Sequence, residues 1–390
     1  MNRTLVLGAT GFGLIAVCYG FARFAFGLFL PAISDDFALS SALAGIISAG
    51  SFLGFCMAIV VAAWLTERVG PRSVAVAAGA AGAVGMIGLA ASPSPAWLAA
   101  FVILAGSSTG LASPALAAAV TSMVPAARQD ATNTFINAGT SAGVALSGPV
   151  AALMGAEWRL AFAGFAGAAI VMALATLKVL AGAAAQPAGR APSLLPLSPD
   201  LVRLAAAAGL SGAASTVVWS FGADLLAANL DWRGGQVGML WTVIGCAGVV
   251  GAMAGSLIAR FGMRAVHLVF HIALALAAAA VGLDGAPPWL VFAGGGLFGA
   301  AYLMLTGVYL VWGIAALPDR PATGVTAGFL ALAVGQALGA MAFGFVIERV
   351  SANIAVASFA ALALVAGWMR RRASGVPAGS LKVRPHAQQR

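Results

Sequence analysis

Charge is what this 390-residue chain has least of: only 8% of its residues are Asp, Glu, Lys or Arg. Soluble domains carry roughly 25%, so a water-soluble globular fold is excluded. Cysteine is nearly absent, with Cys18, Cys56 and Cys246 all inside apolar runs. That rules out a disulfide framework and reads as buried core thiols. There are three histidines. His267 and His271 stand four apart, a spacing that can hold a metal on one helix, but no third ligand is readable near them. The sequence therefore implies no metal and no cofactor. No Gly-x-x-x-x-Gly-Lys-Ser/Thr phosphate loop is present, so ATP drive within this chain is unsupported. No cluster of nucleophile, acid and histidine supports an enzyme, and no large polar domain supports a receptor. The net charge of +9 resides in loops and tails and is no sign of nucleic-acid binding.

What remains is apolar and small. Hydrophobic residues make up 62%, mean hydropathy is +1.01, and there are 50 glycines. Small residues let membrane helices approach closely where no hydrophobic force drives them together. A spanning helix needs roughly 20 mainly apolar residues. Twelve such runs fall near 9–30, 42–65, 73–91, 96–119, 133–154, 159–180, 203–227, 236–258, 265–283, 288–315, 323–346 and 352–370. Backbone facing lipid must be internally bonded, so these are predicted helices; the alternation of a barrel is missing. The first run is long, carries Arg23 and continues into Pro31, unlike a cleavable signal. The expected fold is an all-α membrane protein of twelve transmembrane helices in two pseudo-symmetric six-helix bundles. Residues 1–180 form the first bundle, 181–200 a Pro/Ala/Gly-rich linker, 201–372 the second bundle and 373–390 a basic tail. Of the 20 Lys and Arg, sixteen fall in loops of one parity or in the two ends, and only Arg159, Arg233 and Arg349 in the other loops. Basic residues favour the cytoplasmic side, which places both termini in the cytoplasm of a multi-pass protein of the cytoplasmic membrane. Its immediate partner is the lipid bilayer, and a monomer is expected.

A polar knot recurs. Glu-Arg-Val-Gly-Pro-Arg occupies residues 67–72, and Ala-Arg-Phe-Gly-Met-Arg occupies 259–264. With Ala63, Glu67, Arg68, Gly70 and Arg72, and again with Gly255, Arg260, Gly262 and Arg264, the chain resembles the major facilitator superfamily. There the loop between spans two and three carries a Gly-x-x-x-Asp-Arg-x-Gly-Arg-Arg-like motif that pins neighbouring helices. Ala259 replaces the acid of the second copy, which puts the second pin in question. The Gly148-Pro149 pair ending the Gly139, Gly143 face of span five resembles the antiporter-associated Gly-Pro motif. Span eleven echoes it with Gly335, Gln336, Gly339 and Gly344. Residues 157–159, Glu-Trp-Arg, also resemble a familiar loop of the superfamily. Residues 20–27 through Leu30-Pro31 resemble a bacterial subgroup known by the YbfB/YjiJ label. The Arg-to-Pro spacing there is also similar to organophosphate:phosphate exchangers, whose corresponding Arg binds an anion. Ser215 or Trp219 stands near the place of their second Arg.

Arg23 is the one basic residue well inside a span. A guanidinium there normally faces a cavity or partner, and its planar fork suits carboxylate or phosphate. Tyr19 shares its helix face. One reading is an anion site at mid-membrane; the other is a structural Arg tied to backbone. Asp224 is the best intramembrane carboxylate and the candidate for proton coupling, with neutralisation of Arg23 or a helix cap as alternatives. The resemblance implies a cavity lined by spans one, four, seven and ten. Span ten offers Tyr302, Thr306 and Tyr309, which either orient a solute or pack helices. On span four Ser107, Ser108 and Thr109 either line the cavity or serve close packing. Together these features predict a secondary transporter working by alternating access on a small-molecule substrate, preferably an organic anion, with a coupling proton or counter-substrate. Efflux of neutral or amphipathic compounds is the alternative.

Overall fold

The computed structural model describes residues 3–155, 157–183 and 198–369, and every regular element among them is helical. Twelve spans follow in order. They are α1 (Arg3–Phe37), α2 (residues 41–69), α3 (residues 71–90), α4 (Pro95–Met123), α5 (Ala126–Met154) and α6 (Trp158–Gly182). The second half holds α7 (Pro199–Trp219, continued by Gly222–Leu230), α8 (Gly235–Phe261), α9 (Met263–Gly282), α10 (Pro288–Ala316), α11 (Pro321–Arg349) and α12 (Ala352–Trp368). Among the described residues ten helices are long and apolar enough to cross a membrane. The other two are α5, which is rich in Gly, Ser and Thr, and α12, which is 17 residues long.

Helix ends follow local chemistry. Ser40, Ser94, Ser198 and Ser351 each accept from the backbone N–H three residues on, opening α2, α4, α7 and α12. Such caps satisfy an N–H group that the helix itself leaves orphaned. Pro95, Pro199, Pro288 and Pro321 stand at first-turn positions, where a missing N–H costs nothing. Two glycines set the hairpin angles between spans. Gly70 separates α2 from α3 at φ 83°, ψ 157°, and Gly262 separates α8 from α9 at φ 80°, ψ 149°. A residue with a Cβ is disfavoured there, so the recurring knot is a recurring backbone shape.

An even number of crossings puts the two ends on one face, called here the terminal face. The hairpins at 70 and 262 share it. The loops at 38–40, 91–94, 231–234 and 350–351 lie on the opposite, distal face. The two halves meet through α2 against α11 and α5 against α8. At these crossings a Cβ on Gly45 would overlap the Ala340 carbonyl, and a Cβ on Gly148 the Gly238 carbonyl. Large apolar side chains such as Leu153, Val171, Leu160 and Leu338 point outward, as a lipid-facing surface requires.

Three boundaries differ from the sequence expectation. The first span runs from residue 3 to 37 because its flanks are helical though less apolar. The fifth begins at Ala126, its first turns hidden by Arg128, Gln129 and Asp130. The seventh is interrupted at Ser220 and Phe221. Of the expected linker, residues 181–182 complete a 3-10 turn and helix resumes at Pro199. Residues 184–197, and the tail with Arg370, Arg371 and Arg372, lie outside the described residues.

Candidate functional site

The site begins with a widened turn. Residues Ala16–Phe24 of α1 are π-helical, and the closing Ala25 N–H donates five residues back to the Gly20 carbonyl. Gly20 lies against the Gly143 backbone of α5, where a Cβ would overlap it. π-Helical widenings inside α-helices recur at functional sites. This one carries Tyr19 and Arg23.

Arg23 crosses from the first half to the second. Its Nη2 donates to Gln336 Oε1 of α11 at 2.7 Å. The Gln336 amide in turn donates to Tyr302 OH of α10 at 3.0 Å and to Ser215 Oγ of α7 at 3.3 Å. Four aromatic rings surround the guanidinium, with centroids 4.6–5.8 Å away: Phe55, Phe52, Phe24 and Tyr19. Trp219 stacks on Phe24 at 4.2 Å and meets Tyr302 edge-on at 5.3 Å. Tyr19 OH pairs with Ser113 Oγ of α4 at 2.9 Å. The site is closed in this structure: Arg23 is 6% exposed and Gln336 fully buried. The expected open cavity is replaced by direct contact across the halves.

The decisive feature is electrostatic. None of the ion pairs among the described residues includes Arg23. Its charge is met only by the dipole of Gln336 and by ring faces, which attract cations. Arg23 Nε and Trp219 Nε1 are buried donors without a partner, and so are the Ser48, Ser51 and Ser220 hydroxyls. Buried polar groups are normally satisfied. A lone buried positive charge with an unpaired N–H is chemically suited to an acceptor-rich, negatively charged guest.

Tyr19, Arg23, Trp219 and Tyr302 thus come together in space. Tyr309 does not join them; it bonds Ser211 and lies near His271. Thr306 donates to its own helix at the Leu303 carbonyl, and Ser107, Ser108 and Thr109 do the same on α4. Asp224 lies in the first turn of the short helix Gly222–Leu230. Sequence reading missed Gln336 as the partner of Arg23, together with Phe52 and Phe55. The available signal was an amide amid the glycines of span eleven.

The motif residues take different roles. Arg72 Nε donates to the Leu177 carbonyl at 2.9 Å, near the C-terminal end of α6, where cations are favoured. Arg68 lies 4.2 Å from the Trp64 ring, and Glu67 is exposed beside it. Arg260 lies 5.2 Å from the Phe261 ring. Among the described residues no hydrogen bond or ion pair ties Arg260 or Arg264 to a neighbouring helix. Gly148 and Pro149 sit at the α5–α8 crossing, where Thr242 Oγ1 also donates to the Ala145 carbonyl at 3.3 Å.

Polar contacts hold the distal face shut. Arg233 donates to Asp35 at 2.9 Å across the halves, and Glu348 accepts from the Ala42 N–H at 2.9 Å. Hydrogen bonds to Asp35 and Asp231 push the Arg233 guanidinium above its ordinary value. Arg159 also pairs with Asp36 within the first half. A recess of about 340 Å³ lies beside the Asp35–Arg233 pair, separate from Arg23.

The family model described as Major Facilitator Superfamily matches residues 12–206. The fold is similar to three solved transporters. The nucleoside transporter NupG aligns with a TM-score of 0.68 and 14% identity over 94% of this chain and 98% of that one. The xylose transporter XylE from E. coli, in a partially occluded inward-open conformation, gives 0.72 and 13% over 94% and 97%. A POT family transporter in complex with 5-aminolevulinic acid gives 0.74 and 14% over 93% and 94%. No curated protein matches the sequence.

Proposed function

The chain belongs to the major facilitator superfamily, and from that premise we propose that it carries a small organic anion across the cytoplasmic membrane as a secondary transporter. The single observation carrying the anion is Arg23, buried with no carboxylate partner and with its own Nε unpaired. Uncompensated buried charge is costly, and a bound carboxylate or phosphate removes that cost. In this reading residues 1–180 and 201–372 are two bundles that rock around this site, as alternating access requires. The excess of basic residues on the terminal face supports cytoplasmic ends. With that orientation, the polar contacts of the distal face close the outside. Tyr19, Trp219 and Tyr302 line the cargo site in this reading, and the hairpin residues Glu67, Arg68 and Arg72 tune the motion. The first-span pattern through Pro31 supports placement in the YbfB/YjiJ-type subgroup.

The aromatic surround of Phe24, Phe52, Phe55 and Trp219 favours a second reading, efflux of neutral or amphipathic compounds, because flat apolar solutes stack on such rings. One experiment separates the two. Purified protein in lipid nanodiscs is screened by thermal shift against organic acids, organic phosphates and neutral aromatics. Affinity for the best hit is then measured in Arg23→Lys and Arg23→Ala, alongside Tm, and flux is followed in proteoliposomes. Anion transport predicts a roughly ten-fold loss for Lys, which keeps charge but loses the fork. It predicts about a hundred-fold loss for Ala, close to 3 kcal/mol. Wild-type affinity in a folded Arg23→Ala protein rejects the anion site and favours efflux of neutral compounds.

A further inference from the structure

The second half buries another polar cluster, which the cargo contacts do not use. His271 of α9 is fully buried. Its Nδ1 bonds the His267 carbonyl at 2.7 Å, and a carbonyl can only accept, so Nδ1 carries the hydrogen. Nε2 therefore presents its lone pair to Ser211 Oγ of α7 at 2.6 Å and to Tyr309 OH of α10 at 3.1 Å. Ser211 and Tyr309 are themselves 2.5 Å apart. The Ala207 carbonyl lies within reach of both hydroxyls, at 2.9 Å from Ser211 and 3.2 Å from Tyr309. Gly367 of α12 closes the remaining side: a Cβ there would meet the His271 Cβ at 2.8 Å.

Counting hydrogens shows what this geometry permits. With His271 neutral, Tyr309 donates to Ser211 and Ser211 donates to Nε2. With a proton added at Nε2, the imidazolium donates to Ser211, Ser211 donates to Tyr309, and Tyr309 donates to the Ala207 carbonyl, whose other lone pair takes the helical N–H of Ser211. Each state leaves every polar hydrogen paired, and no heavy atom moves between them. A buried network normally favours one protonation state because the other strands a donor or acceptor. This one accepts either.

The cluster also adjoins the cargo site. Ser211 is one turn from Ser215, which accepts from the Gln336 amide that holds Arg23. Tyr309 is two turns from Tyr302, the other acceptor of that amide. The titratable groups facing His271 are His267, whose ring lies 4.2 Å away on its own helix, and Tyr309 on α10. From α7 it meets Ser211 and from α12 Gly367. Among the described residues no Asp, Glu, Lys or Arg contacts it.

We propose that His271, served by Ser211 and Tyr309, is a proton-binding site whose loading is coupled through α7 to the state of the transporter. The coupling rests on the transport reading above; the proton site itself does not. An anion at Arg23 and a proton at His271 attract one another, and linkage is reciprocal, so the two load together.

The test needs no cargo. The chain has three histidines, at 267, 271 and 386, so ¹⁵N-histidine labelling of the full chain in lipid nanodiscs resolves each by single substitution. Between pH 8 and pH 3, the resonances lost in His271→Gln are expected to convert reversibly from the Nδ1–H neutral form to the doubly protonated form. Ser211→Ala, which keeps the imidazole, should move that midpoint by at least half a pH unit. A His271 that stays neutral until circular dichroism reports unfolding, or a midpoint indifferent to Ser211→Ala, overturns the assignment. Coupling is read by electron–electron distance measurement between spin labels at Pro93→Cys and Gln236→Cys, with Cys18, Cys56 and Cys246 replaced. A pH-dependent change in that distance should vanish in His271→Gln and persist in His267→Gln. An unchanged response in His271→Gln overturns the coupling. These readouts stand even if Arg23→Ala binds anions normally, so the two proposals fail separately.

Discussion

The α1–α5 contact and the α7–α11 contact use the same packing device but carry opposite polarity. In the first half Gly139 and Gly143 lie against the backbone of α1; in the second, Gly335 and Gly339 lie against the backbone of α7. The four-residue spacing puts each pair on one helix face. Yet the first contact delivers a charge, Arg23, and the second delivers neutral dipoles, Gln336 and Ser215, which Tyr302 of α10 joins. The hairpins repeat the lesson. Gly70 and Gly262 share nearly the same backbone angles, while only the first hairpin has a described tie to a neighbouring helix, through Arg72. Backbone packing is the duplicated property, and side-chain chemistry is what the two halves divide between them.

The sharpest way to break this division is to give the neutral half a charge. Gln336→Glu places a carboxylate opposite Arg23, where the amide oxygen now sits at 2.7 Å. An internal ion pair then occupies the guanidinium, so anion affinity should fall at least a hundred-fold while Tm holds or rises. Isothermal calorimetry and a melting curve on the same sample check it; undiminished affinity would show that cargo binds elsewhere.

Next in size is the shared packing. Gly143→Val and Gly339→Val each drive a branched side chain into facing backbone, and overpacking of this kind costs about 1–3 kcal/mol or more. Both variants should melt several degrees lower and transport poorly. A marked effect in only one would show that the two contacts are not equivalent.

The hairpins should differ more modestly. Arg72→Ala removes the bond to the Leu177 carbonyl and should lose about 1–2 kcal/mol of stability and slow flux several-fold with little change in affinity. Arg264→Ala should stay within about 0.5 kcal/mol of the parent. Equal losses would show that the second hairpin is also pinned. Smallest is Asp35→Asn: the Arg233 pair is well exposed, and such pairs contribute about 0.2–1 kcal/mol. Its expected effect is a shift of the distal-face distance distribution toward wider separations, with Tm nearly unchanged.

Much of this architecture was legible because hydropathy is a property of whole segments. Twelve runs, their turns and the repeated knot could be read directly from residue order. Arg23 was legible for the same reason, since one guanidinium in an apolar run stands out against its surroundings. What escaped was pairwise. Gln336 meets Arg23 across 313 positions of chain, and nothing local marks an amide on a glycine-rich span as a partner. The widened turn of α1 escaped because it arises where Gly20 and Gly143 let backbones touch, a tertiary cause. Tyr302 and Tyr309 share a helix face, but different neighbours draw them into separate networks.

The missing carboxylate beside Arg23 has an electrical consequence. In the proposed cycle an empty centre carries a net charge of about +1, and the same centre holding a divalent anion together with the His271 proton carries none. A membrane voltage acts on charge that moves through it, with about 2.3 kcal/mol per elementary charge per 100 mV across the full membrane. Voltage therefore acts on the return of the empty carrier and leaves the loaded crossing nearly untouched. In such a carrier the membrane potential governs how fast the site is recovered, while the cargo crosses electrically unseen.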